Sequence, residues 1–220
     1  MKKILLYAIT LLLSLSAISQ KKAVTENGEE VILYTNGTWK YVNDSANEEK
    51  EIPVNPKAFT KSNTSTFLLK SNKFNVGVWI DPKKWSFKKA DKNDAAEYEF
   101  ELKGKDLYGM MINELVEIPL ESLKKIAIEN AKKVAPDIEL IKEEYRTVNG
   151  HKVLMMQLNA TQGIKFSYYG YYYSNENETM QMVLYTSQNL LKNYLTEIES
   201  HLNGFVVLPA NKYIKCNIAI

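Results

Sequence analysis

The 220-residue chain holds one cysteine, Cys216, and two histidines, His151 and His201. A lone cysteine has no intramolecular mate, so no disulfide framework supports the fold, and Cys216 reads as a chance thiol in a C-terminal extension. The histidines lie far apart, with no Cys or His neighbour at ligand spacing, so neither a zinc site nor another cofactor is expected. No nucleophile elbow, phosphate-binding glycine loop or paired redox cysteines occur. Serine hydrolysis would have to recruit His151, just past a hairpin turn, or His201, on the polar flank of the last helix, and both read as surface residues. The chain is not expected to be an enzyme, and no catalytic residue is assigned.

An excess of one charge is also missing. Lys and Arg total 28 against 26 Asp and Glu, and Lys2 and Lys3 are the only charges before residue 20, so the remainder balances at 26 against 26. Such a chain lacks the broad positive field that draws nucleic acid or anionic lipid, and neither is expected as a partner.

What is present begins with an export signature. Lys2 and Lys3 precede an apolar run from Ile4 to Leu15, and Ala17-Ile18-Ser19 supplies small residues where signal peptidase reads. Residues 1–19 are therefore expected to be a signal peptide cut before Gln20. The run falls short of the ~20 residues that span a bilayer, so no stable membrane anchor is expected. No cysteine adjoins the cut, which closes the lipoprotein route and leaves a periplasmic or secreted product.

Residues 20–42 read as a β-meander with strands near 22–25, 30–34 and 38–42. Asn27-Gly28 and Asn36-Gly37 supply the positive backbone angles of two-residue hairpins. Residues 43–65, polar and charged and then Pro- and Ser/Asn/Thr-rich, read as a linker. The main domain, 66–208, opens with strand signals at 66–70, 74–80, 97–102 and 107–116. A helix follows, with Pro119 at its first position, Leu120, Leu123, Ile126, Ala127, Ala131 and Val134 at helical spacing, and Pro136 as its stop. Four strands come next, at 138–148, 151–160, 164–173 and 178–186, the first two joined by Asn149-Gly150. A last helix is expected with Ser187 as N-cap and Gly204 in the left-handed position past its end. Residues 209–220 form a tail. This order gives an α+β fold, an antiparallel β-sheet with two packed helices plus the small N-terminal meander.

Several stretches carry a resemblance. Residues 27–41, Asn-Gly-Glu-Glu-Val-Ile-Leu-Tyr-Thr-Asn-Gly-Thr-Trp-Lys-Tyr, resemble a "DGTW" module found at the start of many exported bacterial proteins. The segment Phe74-Asn75-Val76-Gly77-Val78-Trp79-Ile80-Asp81-Pro82-Lys83-Lys84-Trp85 resembles the opening of the PsbP-like fold, shared by photosystem extrinsic proteins and Mog-type proteins. The tyrosine-rich strand at 163–173 and the closing helix at 195–205 are similar to exported bacterial members, and the likeness covers about 66–208. It implies a noncatalytic binding or assembly role, with no binding residue carried over.

Tyr168, Tyr169, Tyr171, Tyr172 and Tyr173 crowd one strand. Alternation puts Tyr168 and Tyr172 on a face that looks like core under a helix, and Tyr169, Tyr171 and Tyr173 on the other. That second face either packs or forms an exposed row able to stack on a sugar or peptide. The binding hypothesis takes Tyr169, Tyr171 and Tyr173 together with Trp39 and Tyr41. Met110, Met111, Met155, Met156, Met180 and Met182 read as sheet core rather than a soft-metal site. Glu97, Glu99 and Glu101, alternating with Tyr98, Phe100 and Leu102, read as the wet side of a half-buried strand rather than a hydrolytic carboxylate pair. Lys83-Lys84 and Lys88-Lys89 read as solvated lysines around core aromatics rather than an anion-binding loop. The expected role is noncatalytic binding or assembly support in the bacterial envelope, with an envelope protein as partner. A carrier or glycan-binding protein with a pocket between sheet and helix is the alternative.

Overall fold

A computed structural model describes residues 21–24, 30–34, 39–41, 51–91, 95–161, 163 and 165–209. The expected signal peptide, the Asn27-Gly28 and Asn36-Gly37 turns, the charged stretch 43–50 and the tail from 210 onward with Cys216 lie outside the described residues. The chain divides into two compact units, 1–51 and 52–220.

The first unit holds β1 (Lys21–Val24), β2 (Glu30–Leu33) and β3 (Trp39–Tyr41), an antiparallel meander in that order. Val31 is buried, whereas Trp39, opposite Leu33, is 54% exposed.

The second unit begins earlier than the sequence suggests. β4 (Val54–Phe59) pairs in parallel with β10 (Ile138–Val148), setting Val54 beside Tyr145 and Phe59 beside Val148. The expected linker 43–65 therefore contains a sheet strand. Its two prolines hid it, yet an edge strand tolerates Pro56 because one side of its backbone needs no ladder partner. β5 (Phe67–Lys70), β6 (Val76–Ile80), β8 (Ala96–Leu102) and β9 (Leu107–Glu114) match expectation within a few residues. β7 (Trp85–Lys89), where the sequence reads as lysines around core aromatics with no strand assigned, is a strand paired with β8. After α1 (Leu120–Val134) come β10, β11 (His151–Ala160), β12 (Phe166–Ser174) and β13 (Thr179–Ser187), then α2 (Leu191–Leu202) and β14 (Phe205–Val207).

The large sheet runs β4-β10-β11-β12-β13-β9-β8-β7, antiparallel except at β4, and a small sheet runs β14-β6-β5. Two meanders, β7 to β9 and β10 to β13, are thus joined edge to edge by β9 and β13, with α1 as the connection. Asn149 and Gly150 both take positive φ, 47° and 86°, as the β10–β11 hairpin requires.

Each helix end departs slightly from expectation. Pro119 sits just before the first helical residue, its carbonyl accepting the Leu123 N–H at 2.8 Å. Ser187 does not cap α2: it ends β13, and the helix follows a turn in which the Leu190 N–H donates to the Ser187 carbonyl. Gly204 is not left-handed. It is needed for closeness, since a Cβ there would lie 2.0 Å from the Trp79 carbonyl oxygen, while the Trp79 N–H donates to the Gly204 carbonyl at 2.8 Å.

The two faces of the large sheet are covered unequally. One face meets α2 and the small sheet in a continuous core that includes Trp85, Phe100, Met111, Met155, Met182, Ile198, Leu202 and Phe205. On the opposite face, α1 buries Leu123 and Ala127 against Tyr145, Leu154, Met156, Tyr172 and Val183, covering β10 to β12 and the near side of β13. Beyond Val183 that face stays open. The methionine reading holds for five of six: Met111, Met155, Met156, Met180 and Met182 are core, and Met110 is half-buried.

Candidate functional site: two sets of tyrosines

Of the two outcomes open to the Tyr169, Tyr171 and Tyr173 face, packing is the one realised, so the binding row proposed for it does not form. Tyr169, Tyr171 and Tyr173 point into the core below α2 and the small sheet and are at most 8% exposed. The reason is a charge placed among them. Arg146, on β10 and 3% exposed, donates through Nη1 to the Tyr171 hydroxyl (2.9 Å), through Nη2 to the Tyr169 hydroxyl (3.0 Å) and through Nε to Glu144 (2.6 Å). Its Nη1 also reaches Glu199 of α2 at 3.1 Å, and its guanidinium lies 4.4 Å from the centre of the Phe59 ring. Tyr169 in turn donates to Glu199 (3.0 Å), Tyr171 donates to Asn203 (2.8 Å), and Asn55 of the strip before Phe59 donates to Glu144 (3.2 Å).

Every charge in this cluster has a partner. Burial works against Glu144, but hydrogen bonds from Arg146 and Asn55 hold its carboxyl below the usual range. Burial likewise opposes charge on Arg146, yet the tyrosine hydroxyls and Glu144 keep it firmly protonated. Burial pushes the Tyr171 hydroxyl up to about 12 in spite of Arg146. No group here is poised to exchange a proton near neutrality. The cluster ties β4, β10, β12 and α2 together, a structural role suited to a planar five-donor side chain. It escaped sequence reasoning, although one signal was available: Arg146 is the chain's single arginine among its 28 basic residues.

A second set of tyrosines runs from the edge of the α1 core, where Tyr168 packs, out to the exposed Tyr108. Tyr168 of β12 lies opposite Tyr185 of β13, and Tyr185 opposite Tyr108 of β9, so one ring from each strand forms a row across the sheet. Neighbouring ring centres are 5.9 Å apart on both sides of Tyr185, tilted by 44° and 33°. Tyr108 is 38% exposed, and Tyr168 and Tyr185 are half-buried, their hydroxyls shifted upward by burial. The row ends in a hollow of about 400 Å³ bounded by Tyr185, Tyr108, Glu99, Glu101, Ser86 and Lys88. Lys88 is held by Glu99 at 3.1 Å and Asp91 at 3.3 Å. Tyr168 stands on the face that alternation assigned to core, and Tyr108 and Tyr185 carry no local mark. Their alignment comes from β9 pairing with β13, a long-range choice.

The remaining candidates are accounted for by packing. His201, expected at the surface, is enclosed: its ring centre lies 4.2 Å from that of Trp85 and 4.7 Å from that of Phe100, and among the described residues no group bonds either nitrogen. Burial lowers its pKa to about 3, so it stays neutral. The helix face that looked polar at His201 turns inward because α2 meets the sheet at Ile198, His201 and Leu202. His151 is half-buried, edge-on to Tyr173 and Phe205. Asp81 closes a turn by accepting the Lys83 N–H (3.0 Å). Glu97 anchors the β5–β6 loop, accepting from Ser71 (2.6 Å), the Asn72 N–H (2.6 Å) and Asn113 (2.7 Å). Tyr98, Phe100 and Leu102 are core and Glu101 is exposed, as alternation indicates. On the meander Trp39 is exposed, and the Tyr41 side chain lies outside the described residues. Among the described residues no group of three or more His, Cys, Asp and Glu converges as a metal site. No described helix is long and apolar enough to cross a membrane.

No protein-family model matches the chain, and no curated protein matches it by sequence. Solved structures do. The solution structure of the cyanobacterial PsbP protein CyanoP from Synechocystis aligns over 66% of this chain and 94% of its own length, with a TM-score of 0.50 and 14% identity. A protein of unknown function from Pseudomonas aeruginosa aligns over 65% of this chain and 97% of its own, at a TM-score of 0.42 and 13% identity. LpqN, a Mycobacterium tuberculosis protein involved in cell envelope biogenesis, aligns over 69% of this chain and 82% of its own, at 0.35 and 11%. The cyanobacterial alignment and the order of strands and helices agree with the segments at 74–85 and 163–173: this chain has a PsbP-like α+β fold.

Proposed function

We propose that the protein is an exported, noncatalytic binding protein of the bacterial envelope that engages its partner through the open half of the large sheet. One observation carries this reading. Tyr108 and Tyr185 lie on the part of the face that α1 leaves bare and continue a row begun by Tyr168 at the edge of the α1 core, whereas the chain's other tyrosine cluster is enclosed and hydrogen-bonded. A tyrosine on a rigid strand offers an apolar ring and a polar tip with little ordering left to lose. On the separate meander unit, Trp39 is exposed as well. Export is supported by Lys2, Lys3 and the apolar run behind them.

The carrier alternative, with a ligand between sheet and helix, is less favoured. Leu123 below α1 and Ile198 and Leu202 below α2 are fully buried against the sheet.

A photo-crosslinking residue at Tyr108 in the full-length protein, produced in its native envelope, tests the reading. Covalent capture of one predominant envelope component, lost when the residue is moved to exposed Glu139 on β10, is expected. A crosslinking pattern no different from the Glu139 control would refute a role for this face.

A further inference from the structure

We infer that the hollow beside Tyr108 is one end of a longer groove whose occupant is an acidic polysaccharide with charged sugars separated by neutral ones. This deepens the binding reading and rests on it. The groove follows from three hollows that share walls. The first, about 400 Å³, shares Glu101 and Tyr108 with a second of about 340 Å³ at the β8–β9 turn. The second shares Lys105 and Tyr194 with a third of about 430 Å³ between that turn and the start of α2. Gly104, at φ +67°, makes the turn around which the path bends.

The chemistry changes along this path. At the sheet end are the rings of Tyr108 and Tyr185 with the Ser86 hydroxyl. In the middle, Glu101 and Asp106 present acceptors beside Tyr194. At the far end Lys83, Lys84, Lys103 and Lys105 face a single acid, Glu197. Lys84 is held by Glu197 at 2.7 Å, and Lys103 donates to the Pro82 carbonyl at 2.8 Å. The Lys83 and Lys105 ammonium groups have no partner among the described residues, so that end has two cations available for an anion.

A peptide fits this path poorly. Extended peptides gain affinity by adding main-chain hydrogen bonds along a sheet edge, but the path runs across the strands from Tyr185 to the β8–β9 turn, over β9 and β8 that are paired on both sides, and not along the open edge at β7. A sugar chain needs no such edge. Its ring faces stack on tyrosine, its hydroxyls donate to Glu101 and Asp106, and a carboxylate on a later unit reaches Lys83 and Lys105. The acids in the middle repel a polymer charged at every unit, which is why the charges must be spaced.

Hyaluronan oligosaccharides, which alternate a uronic acid with a neutral amino sugar, are the probe, compared by calorimetry with polygalacturonate, dextran and poly-glutamate on the full chain. Hyaluronan is expected to bind about tenfold or more tightly than any of the three. Lys83→Ser with Lys105→Ser is expected to weaken it about tenfold or more with an unchanged melting temperature, and Tyr108→Ala with Tyr185→Ala about tenfold or more with a lower melting temperature but an unchanged circular dichroism spectrum at the assay temperature. Tighter or equal binding of poly-glutamate would assign the groove to an acidic protein segment, and equal binding of dextran would remove the lysines from it; either overturns the inference. Hyaluronan binding that survives both double variants also overturns it. If hyaluronan does not bind while Tyr108 still crosslinks one envelope component, this inference falls and the binding reading stands; if neither occurs, both fall.

Discussion

Tyr169 and Tyr108 sit in the same sheet, yet they differ in almost every physical respect. Tyr169 is 3% exposed and its hydroxyl bonds both Arg146 and Glu199. Tyr108 is 38% exposed, with the Tyr185 ring 5.9 Å away. A buried hydroxyl demands partners, because leaving it unpaired costs about 1–3 kcal/mol; an exposed one demands none and stays available. The enclosed set therefore holds the molecule together, and the open set is free to meet something else. The identity of the residue settles neither role.

Four substitutions press on that contrast. Arg146→Met should have the largest effect, a loss of about 3–5 kcal/mol in urea unfolding, because it takes the arginine from the buried Glu144 carboxylate, which keeps only Asn55 and Lys142, and removes the donor to the Tyr169 and Tyr171 hydroxyls. A loss below about 1 kcal/mol would mean the cluster is wet, and the contrast with the open face would collapse.

His201 comes next. Its folded pKa of about 3 lies below the ordinary 6.5, so the unfolded chain takes up the proton first as pH falls. Its contribution to stability is complete above about pH 6.5 and erodes below it, by about 2 kcal/mol between pH 7 and 5. His201→Phe, which keeps a ring between Trp85 and Phe100, should flatten the unfolding free energy over that interval. An unaltered pH slope would show that the ring is hydrated in the folded state.

Tyr171→Phe removes one hydroxyl from between Arg146 and Asn203 and should cost about 1–2 kcal/mol by the same urea measurement. At the small end, Tyr108→Phe should shift stability by less than about 0.5 kcal/mol, since that hydroxyl lies on the open face. Equal losses from these two hydroxyl deletions would erase the distinction between the two sets.

The regular parts of this fold were legible in the sequence for local reasons. Asn149-Gly150 can hardly be anything but a two-residue hairpin, so β10 and β11 run over the expected 138–148 and 151–160. The apolar spacing located α1 but drew its stripe too wide: Leu123 and Ala127 are buried, whereas Ile126 and Val134 are exposed. What stayed hidden depends on distant pairing. Alternation correctly split Tyr169 and Tyr171 from Tyr168 and Tyr172, but which face ends up bare is decided by how far α1 reaches across the sheet. Tyr185 acquires Tyr108 as a neighbour only because β13 closes against β9, more than seventy residues earlier in the chain. His201 was misplaced for a similar reason: an imidazole on a helix looks polar until two aromatic rings from β7 and β8 enclose it. β4 was hidden by its prolines.

That strand bears on where the second unit can be cut. A fragment started at Thr66, where the strand signals become obvious, would lack Asn55 and Phe59, the groups that bond Glu144 and roof the guanidinium of Arg146. It would also leave the Tyr145 amide without the Pro53 carbonyl and the Asn149 amide without that of Phe59. Such a fragment would expose a raw β10 edge and let water onto an ion cluster that the intact chain keeps dry, inviting self-association through that edge. A fragment begun at Ile52 keeps the lid in place.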